Sequence, residues 1–150
     1  MIRKLLATAS IYLVFSTAFA GEPVSSTDAL EKELLACLSS ATSESKCIET
    51  SASKYFLPGN EGLMPTMTEL DKIYTNWLAK DSVYAIHPLR QQKSGDIYEH
   101  RLYVIEDTSG SLMLFSFSTL KRLGKTYLFG VKFNSKHDEI KSVLEGGPEL

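Results

Sequence analysis

Residues 97–134 read IYEHRLYVIEDTSGSLMLFSFSTLKRLGKTYLFGVKFN, and this stretch decides the fold of the chain. Apolar and polar residues alternate along it with a period of two, which is typical of β-strands that bury one face. Two clusters of turn-forming residues, Asp107-Thr108-Ser109-Gly110 and Arg122-Leu123-Gly124-Lys125, interrupt the alternation. The pattern predicts three strands, over residues 97–106, 112–120 and 126–134.

A fourth strand is predicted just upstream, over residues 83–91, and Lys93-Ser94-Gly95-Asp96 connects it to the next strand. Connections this short place neighbouring strands antiparallel to each other. Pro88 lies inside the fourth strand and has no N–H to donate to a partner strand. We therefore expect this strand at an edge of the sheet.

Helical periodicity is found on both sides of the predicted sheet. Apolar residues recur at helical spacing over residues 28–38 and 45–56, and Asp28 with Glu31 has the spacing of a capping box. A short helix follows the last strand and ends at Leu144. The strongest apolar stripe belongs to a third helix upstream of the sheet and consists of Leu70, Ile73, Tyr74, Trp77 and Leu78.

The order of these elements predicts an α+β fold. An N-terminal helical hairpin and a third helix pack on a four-stranded antiparallel sheet, and a short C-terminal helix follows. The chain has 150 residues, of which 43% are hydrophobic and 23% charged, as expected for one globular domain. Its formal charge of −2 argues against a nucleic-acid-binding protein.

The first twenty residues have the composition of a secretory leader. Arg3 and Lys4 precede an apolar stretch over residues 5–19, and Ala18-Phe19-Ala20 is a small-x-small cleavage site. The apolar stretch is short for a bilayer and no stop-transfer pattern follows it, so a retained anchor helix is the less favoured alternative. Gly21 follows the site where a lipoprotein would carry cysteine.

We therefore expect a signal peptide over residues 1–20 and a single α+β domain over residues 21–150. Removal of the leader leaves 14 Lys and Arg against 18 Asp and Glu, a formal charge of −4. The short leader segments and the lack of an N-x-Ser/Thr sequon indicate a periplasmic protein, with secretion as the alternative. No membrane span is expected after cleavage.

Cys37 and Cys47 are the only cysteines, and both follow the leader. An even number of cysteines in an oxidising compartment predicts a disulfide, which would join the end of the first helix to the start of the second. The wide spacing is unlike the C-x-x-C of redox enzymes. A metal site is not expected because no histidine lies near either cysteine in the sequence.

From about Thr66 to Asn134 the order of elements resembles that of cystatin-like and NTF2-like rolls, in which a curved antiparallel sheet wraps around a helix. The resemblance rests on no motif, so no functional residue is carried over from either family. It implies a cone-shaped cavity that relatives use for small ligands or for dimer contacts. A fold alone does not choose between these uses.

Two histidines could share a site on the first hairpin. With Ser94-Gly95 as a two-residue loop, Arg90 faces Glu99, and His87 and His100 become diagonal neighbours about 7 Å apart on one face. A metal or acid–base site needs a further ligand or carboxylate, and the aligned positions offer none. We therefore expect two partly exposed strand histidines, with no metal site and no cofactor.

The sequence contains no G-x-S-x-G or H-E-x-x-H motif and no phosphate-binding glycine loop. Paired carboxylates drawn from Glu99, Glu106 and Asp107 stay open, because spacing does not define their geometry. The sequence thus predicts no catalytic residue. An enzyme is the third interpretation, and it would be favoured by a hydrogen bond between Glu106 and either His87 or His100.

Aromatic residues are concentrated in the last two strands. Tyr127, Phe129, Val131 and Phe133 are predicted to share one face of the last strand, where they form either the sheet's core or a partly open pocket. The core is the favoured alternative. The residues predicted to line such a ligand pocket are Trp77, His87, Tyr98, His100, Tyr103, Phe115 and Phe129.

Lys121, Arg122 and Lys125 surround the last hairpin turn. Such residues commonly keep a turn and its strand edges soluble, and they could also form a local patch for an anionic partner. The favoured hypothesis for function is a small exported, non-catalytic protein-binding module, such as an inhibitor, an immunity-type protein or an accessory subunit of an envelope assembly. Its partner would be another periplasmic or secreted protein. The alternative is a carrier or sensor that holds a small ligand in the cavity of a roll.

Overall fold

The computed structural model describes residues 21–59 and 64–148, and the predicted leader lies outside them. Within these residues the predicted α+β fold is confirmed: three helices precede a four-stranded antiparallel sheet and a fourth helix follows it. The elements are α1 Thr27–Ser39, α2 Cys47–Ser51, a 3₁₀ turn Ser53–Tyr55, α3 Met64–Leu78, β1 Val83–Ser94, β2 Tyr98–Asp107, β3 Leu112–Arg122, β4 Lys125–Asn134 and α4 His137–Leu144.

The strands lie in the order β1-β2-β3-β4, and each is antiparallel to the next. β1 is at an edge, as Pro88 predicts. The other edge, β4, is partly covered by backbone hydrogen bonds from outside the sheet. The amide of Val24 donates to the carbonyl of Thr126 over 2.9 Å, and the amide of Leu57 donates to that of Leu128 over 3.0 Å. These bonds satisfy backbone groups that an edge strand leaves unpaired.

The first described residues are held tightly beside this edge. A Cβ atom on Gly21 would lie 1.7 Å from the carbonyl oxygen of Phe56, so only glycine fits there. The amide of Glu22 donates to the carbonyl of Lys54 over 2.7 Å. Together with the Val24 bond, these contacts fix residues 21–24 against the body of the domain.

The register predicted for the first hairpin is wrong. The connection consists of Gly95-Asp96-Ile97 instead of a two-residue Ser94-Gly95 loop. Its glycine adopts φ of +57°, a left-handed conformation that permits the longer turn. As a result Lys93, and not Arg90, faces Glu99 across the strands.

The face of the sheet that packs against α1, α2 and α3 holds the main core, and we call it the helix-side face. Phe133 stacks on Tyr74 of α3 and contacts Phe115, with ring centroids 5.1 Å apart in both pairs. The hydroxyl of Tyr74 donates to the carbonyl of Leu38 over 2.8 Å and so ties α3 to α1. The buried strand residues of this face are Tyr103, Ile105, Met113, Phe115, Phe117, Leu128 and Phe133.

The second helix is shorter than the predicted 45–56. It covers Cys47–Ser51 only, and a 3₁₀ turn over Ser53–Tyr55 follows it. Its first turn is capped from another helix. The buried carboxylate of Asp71 in α3 accepts hydrogen bonds from the amides of Ile48 and Glu49, each over 2.8 Å. Two orphan N–H groups at the start of α2 are thereby satisfied by a residue far away in the sequence.

The start of α1 also differs from the predicted capping box. The N-cap is Ser26, whose hydroxyl accepts a hydrogen bond from the amide of Ala29 over 3.1 Å. Asp28 and Glu31 turn towards the sheet instead, where they bind Arg101.

A disulfide links α1 to α2, as the sequence predicts. The sulfur atoms of Cys37 and Cys47 are 2.16 Å apart and their Cα atoms 5.6 Å apart. Closing a loop of this length stabilises a fold by about 3 kcal/mol in the chain-entropy model.

The opposite face of the sheet, which we call the second face, is covered only in part. Ile140 and Val143 of α4 pack on a small separate cluster formed by Leu102, Val104 and Leu114. The guanidinium of Arg90 donates to the carbonyl of Gly147 over 3.1 Å and holds the chain after α4 on the sheet. The remaining part of the second face, towards the β1–β2 and β3–β4 turns, lies beyond this helix.

Candidate docking surface

The residues predicted to line a ligand pocket are divided between the two faces of the sheet. Tyr103 and Phe115 are 2% and 0% exposed and belong to the core of the helix-side face. Trp77 is partly buried against the same core and stacks on Tyr74, with ring centroids 5.9 Å apart. The others, His87, Tyr98, His100 and Phe129, are on the second face. Aromatic packing therefore occupies the place where a roll would have its cavity.

The last strand changes face at a β-bulge, which the sequence analysis did not predict. The pairing between β3 and β4 shifts between Ser118 and Thr119. As a result Leu128, and not Phe129, is buried on the helix-side face. Phe129 is displaced to the second face, where its ring meets that of Tyr98 edge to face at 6.3 Å. Tyr127 pairs with Leu120 and leaves the helix-side face as well. The prediction that the four alternate residues share one face is thus wrong for two of them.

The two histidines of the first hairpin share the second face but are not neighbours. His87 pairs with Val104 and His100 pairs with Gln92. One β2 residue of that face, Leu102, therefore lies between the two histidines, which are farther apart than predicted. The imidazole of His87 lies 3.4 Å from a carboxylate oxygen of Glu106. Their side chains are 52% and 33% exposed, and the pair joins the edge strand β1 to its neighbour β2.

The contact between His87 and Glu106 is the geometry that would favour an enzyme. It supplies an acid and a base, which are two of the parts that such a site requires. General acid–base chemistry also needs a place where a substrate is held against the pair and shielded from water. Across residues 21–59 and 64–148 no group of three or more His, Cys, Asp or Glu residues could hold a metal ion. The contact is an exposed cross-strand pair of opposite charge when His87 is protonated.

The open part of the second face forms a shallow depression of about 230 Å³. Ser116 and Ser118 lie at its base, Tyr98 and His100 on one side and Lys132 on the other. A depression of this size is smaller than the usual site for a drug-sized molecule. Along this face of β3, Leu112 and Leu114 belong to the cluster that α4 covers. The change to Ser116 and Ser118 marks the end of the part that α4 covers.

The β1–β2 and β3–β4 turns lie together at one end of the sheet, which we call the hairpin end. Large apolar side chains are exposed there: Ile97 is 60% exposed, Phe129 44% and Leu123 93%. The predicted basic cluster, Lys121, Arg122 and Lys125, is also at this end and fully on the surface. Exposed apolar side chains grouped together mark interaction sites more often than singly scattered ones do.

The charge of this region is opposite to that of the whole chain. Residues 112–134, which form β3, β4 and their turn, contain four Lys or Arg and no Asp or Glu. The chain as a whole has more acidic than basic residues. The β1–β2 turn adds one carboxylate, Asp96, so the hairpin end keeps an excess of cations on an acidic protein. Such a surface favours encounter with an anionic partner.

A charged cluster around Arg101 is the site that the sequence analysis missed. Arg101 is 8% exposed and binds the carboxylates of Asp28 and Glu31 of α1 and of Glu99 on its own strand. The hydroxyl of Tyr103 donates to Glu31. An arginine at a strand position that faces the core was the signal for this cluster, because buried guanidinium groups need anionic partners.

The cluster changes the pKa values of its members. The hydrogen bond from Arg101 holds the pKa of the Asp28 carboxyl below its usual value. Burial raises the pKa of Glu99, but hydrogen bonds from Arg101 and Gln91 outweigh it and lower that pKa overall. Burial and the hydrogen bond to Glu31 both raise the pKa of Tyr103. Each of the three carboxylates contacts Arg101, so the cluster links α1 to the sheet.

A wider groove runs between α4 and the end of α3. It has a volume of about 740 Å³ and is open to solvent. Trp77, Leu112, Ile140 and Leu144 form its apolar wall. This groove contains one residue of the predicted pocket, Trp77, but lies outside the interior of the sheet.

Comparisons with known proteins identify no relative of this chain. No protein-family model matches the chain, and neither a curated protein nor a solved structure matches it. The resemblance to cystatin-like and NTF2-like rolls rests on the order of elements alone. In the part of the chain that the structure describes, no helix is long and apolar enough to cross a membrane.

Proposed function

We propose that this chain is an exported, non-catalytic protein-binding module, of the inhibitor or immunity type or an accessory subunit of an envelope assembly. Export is supported by the leader pattern of residues 1–20 and by a disulfide, which is a bond of oxidising compartments. The partner is another periplasmic or secreted protein.

The observation that carries the proposal is the contrast between a closed core and an exposed apolar hairpin end. The apolar core of the helix-side face is packed with buried side chains. A recess of about 530 Å³ beside α1 is open to solvent and lined mainly by charged and polar residues. Ile97, Leu123 and Phe129 instead expose large apolar side chains at one end of the domain. A monomer gains nothing from this exposure, whereas an interface buries such residues at its centre.

Affinity capture from the native host tests the proposal. The full chain carries a C-terminal tag, and envelope extract is passed over it at near-physiological salt. One protein is expected to be retained at a stoichiometric ratio, and a triple variant, I97S/L123N/F129S, should lose it. The double variant I73S/L144S removes apolar side chains that are exposed elsewhere and should keep the partner. The absence of any stoichiometric protein from the wild-type column would refute the proposal.

Export is tested separately on protein purified from the native host. Its intact mass should correspond to a chain that begins at Gly21, less two hydrogens for the Cys37–Cys47 disulfide. A protein that retains Met1 and two free thiols would place it in a reducing compartment and contradict the proposal.

A small-ligand carrier is the second candidate, and the α4 groove is the observation that favours it. Its volume lies within the range of about 300–1,000 Å³ that is usual for ligand sites. Trp77 is the only tryptophan of the chain and lines this groove, so its fluorescence reports on occupancy. A saturable change in emission with a small apolar compound, lost in L112S, would support the carrier.

A further inference from the structure

We infer that the β3–β4 turn inserts into its partner, with Leu123 entering an apolar pocket whose rim is acidic. This inference rests on the proposed function and names the contacting residues and the chemistry of the partner. The tip, residues 121–125, consists of Leu123 and Gly124 flanked by Lys121, Arg122 and Lys125. Three independent features of the tip support it.

The first feature is the backbone conformation of Leu123. It has φ of +51°, and Gly124 after it has φ of +75°, so both central residues of the turn are left-handed. Asn, Asp and Gly are the residues that favour the first of these positions, and a leucine is disfavoured there. Strained residues are retained where the surrounding structure or a function requires them.

The second feature is that nothing within the domain requires this leucine. Its side chain is 93% exposed, the highest fraction among the large apolar residues described. It therefore contributes no burial to the fold and adds an apolar group to the surface. An asparagine would be favoured over leucine both by the left-handed backbone and by the exposure to water. The leucine therefore points to a partner that buries it.

The third feature is the distribution of charge around the tip. Lys121 pairs with Thr126, and Arg122 pairs with Lys125, so cationic side chains project from both faces of the hairpin. No carboxylate occurs in residues 112–134, and the neighbouring β1–β2 turn contributes one, Asp96, against these three cations. A narrow apolar apex with cations on both sides matches a cleft that has acidic walls.

This arrangement fits a protein cleft better than a lipid surface. A bilayer is flat and is best met by apolar and cationic groups arranged in one plane. Here the cations lie on opposite sides of a two-stranded tip that ends in one leucine. The partner is therefore a protein with a concave acidic site, and binding to anionic vesicles is an outcome that would overturn the inference.

Site-specific photo-crosslinking in the native host tests the inference. A benzophenone amino acid replaces Leu123, Phe129 or Leu144 in the full chain, one position at a time. Position 123 is expected to give one protein adduct whose cross-linked peptide lies in an acidic surface region, and position 144 none. An adduct from position 129 or 144 without one from 123 would overturn the inference and leave the proposed function standing. No protein adduct from any of the three positions would count against both.

Two sets of variants measure the contribution of the tip to affinity for the cross-linked partner, purified separately. L123N is expected to weaken binding at least tenfold while its melting temperature stays the same or rises. Under the same conditions K121E/R122E/K125E should bind at least tenfold more weakly. The control K32E/K72E/K80E makes the same change of charge at exposed positions away from the tip and should bind normally.

Equal binding by wild type and L123N would overturn the inference, and so would a fall in melting temperature large enough to explain weaker binding. Co-sedimentation of the wild-type chain with phosphatidylglycerol vesicles, lost in L123N, would show that the tip meets a membrane instead.

Discussion

The two faces of the same sheet are built on different principles. The helix-side face buries seven strand residues under three helices and is reinforced by a disulfide and by the Arg101 cluster. The second face buries a small apolar cluster under α4 and then becomes polar at Ser116 and Ser118. Stability is thus concentrated on one side of the sheet.

The contrast predicts very different effects for two phenylalanines. Phe115→Ala on the helix-side face should reduce the free energy of unfolding by about 3–5 kcal/mol, because it leaves a cavity in the closed core. Phe129→Ala on the second face should cost about 1 kcal/mol or less, since that ring is half exposed and contacts Tyr98 only at its edge. Urea denaturation followed by circular dichroism measures both. Equal losses would show that the two faces do not differ in this way.

Removal of the disulfide tests the reinforcement of the helix-side face. The double variant C37A/C47A should lose about 3 kcal/mol of unfolding free energy, since the unfolded chain gains freedom. Ser43→Ala, in the same connection between α1 and α2, is the control and should change little. The comparison is made in guanidinium without reductant. A double variant as stable as the wild type would show that the other contacts suffice to hold α1 and α2.

Arg101→Met tests the cluster that joins α1 to the sheet. It leaves the carboxylates of Glu31 and Glu99 together without their cation, and should cost roughly 2 kcal/mol, less than for a fully buried pair because the acidic groups are partly exposed. Gln92→Met on the second face is the matched control and should be nearly neutral. Thermal melting at pH 7 compares them. A more stable R101M protein would show that burial of the arginine is costly rather than favourable.

The smallest predicted effect is a loss of stability at acidic pH. The pKa values of Asp28 and Glu99 are lowered in the folded protein, so their stabilising contribution is present at neutral pH. It is lost as the pH falls from about 4 through these lowered values, because the unfolded chain takes up protons first. The melting temperature of the wild type should therefore fall below about pH 4, and R101M should lose part of that dependence. Parallel curves for the two proteins would contradict this account.

The sequence predicts the elements better than the contacts between them. Period-two alternation located all four strands, and Pro88 located the edge, because both depend on neighbours along the chain. The register of the first hairpin depends on whether Gly95 is the last residue of a two-residue loop or the first of a three-residue loop. The local sequence does not decide between these loops. The bulge that moves Phe129 to the second face follows from pairing with β3 and leaves no local signal except the neighbouring glycine.

The candidate site was predictable only in part. The cations at positions 121, 122 and 125 were visible as a cluster, since they are adjacent in sequence. The strain at Leu123 was not, because it depends on the turn type that the flanking strands impose. The Arg101 cluster joins residues about seventy positions apart, and only the packing of α1 on the sheet brings them together.

The fixed position of residues 21–24 has a consequence for the proposed removal of the leader. A leader peptidase that cuts after Ala20 needs an accessible, extended backbone around that bond. Gly21 lies against Phe56, and the amides of the next residues are already engaged with Lys54 and Thr126. On the proposed export route, cleavage after Ala20 must therefore come before this corner closes, so processing would precede the final step of folding.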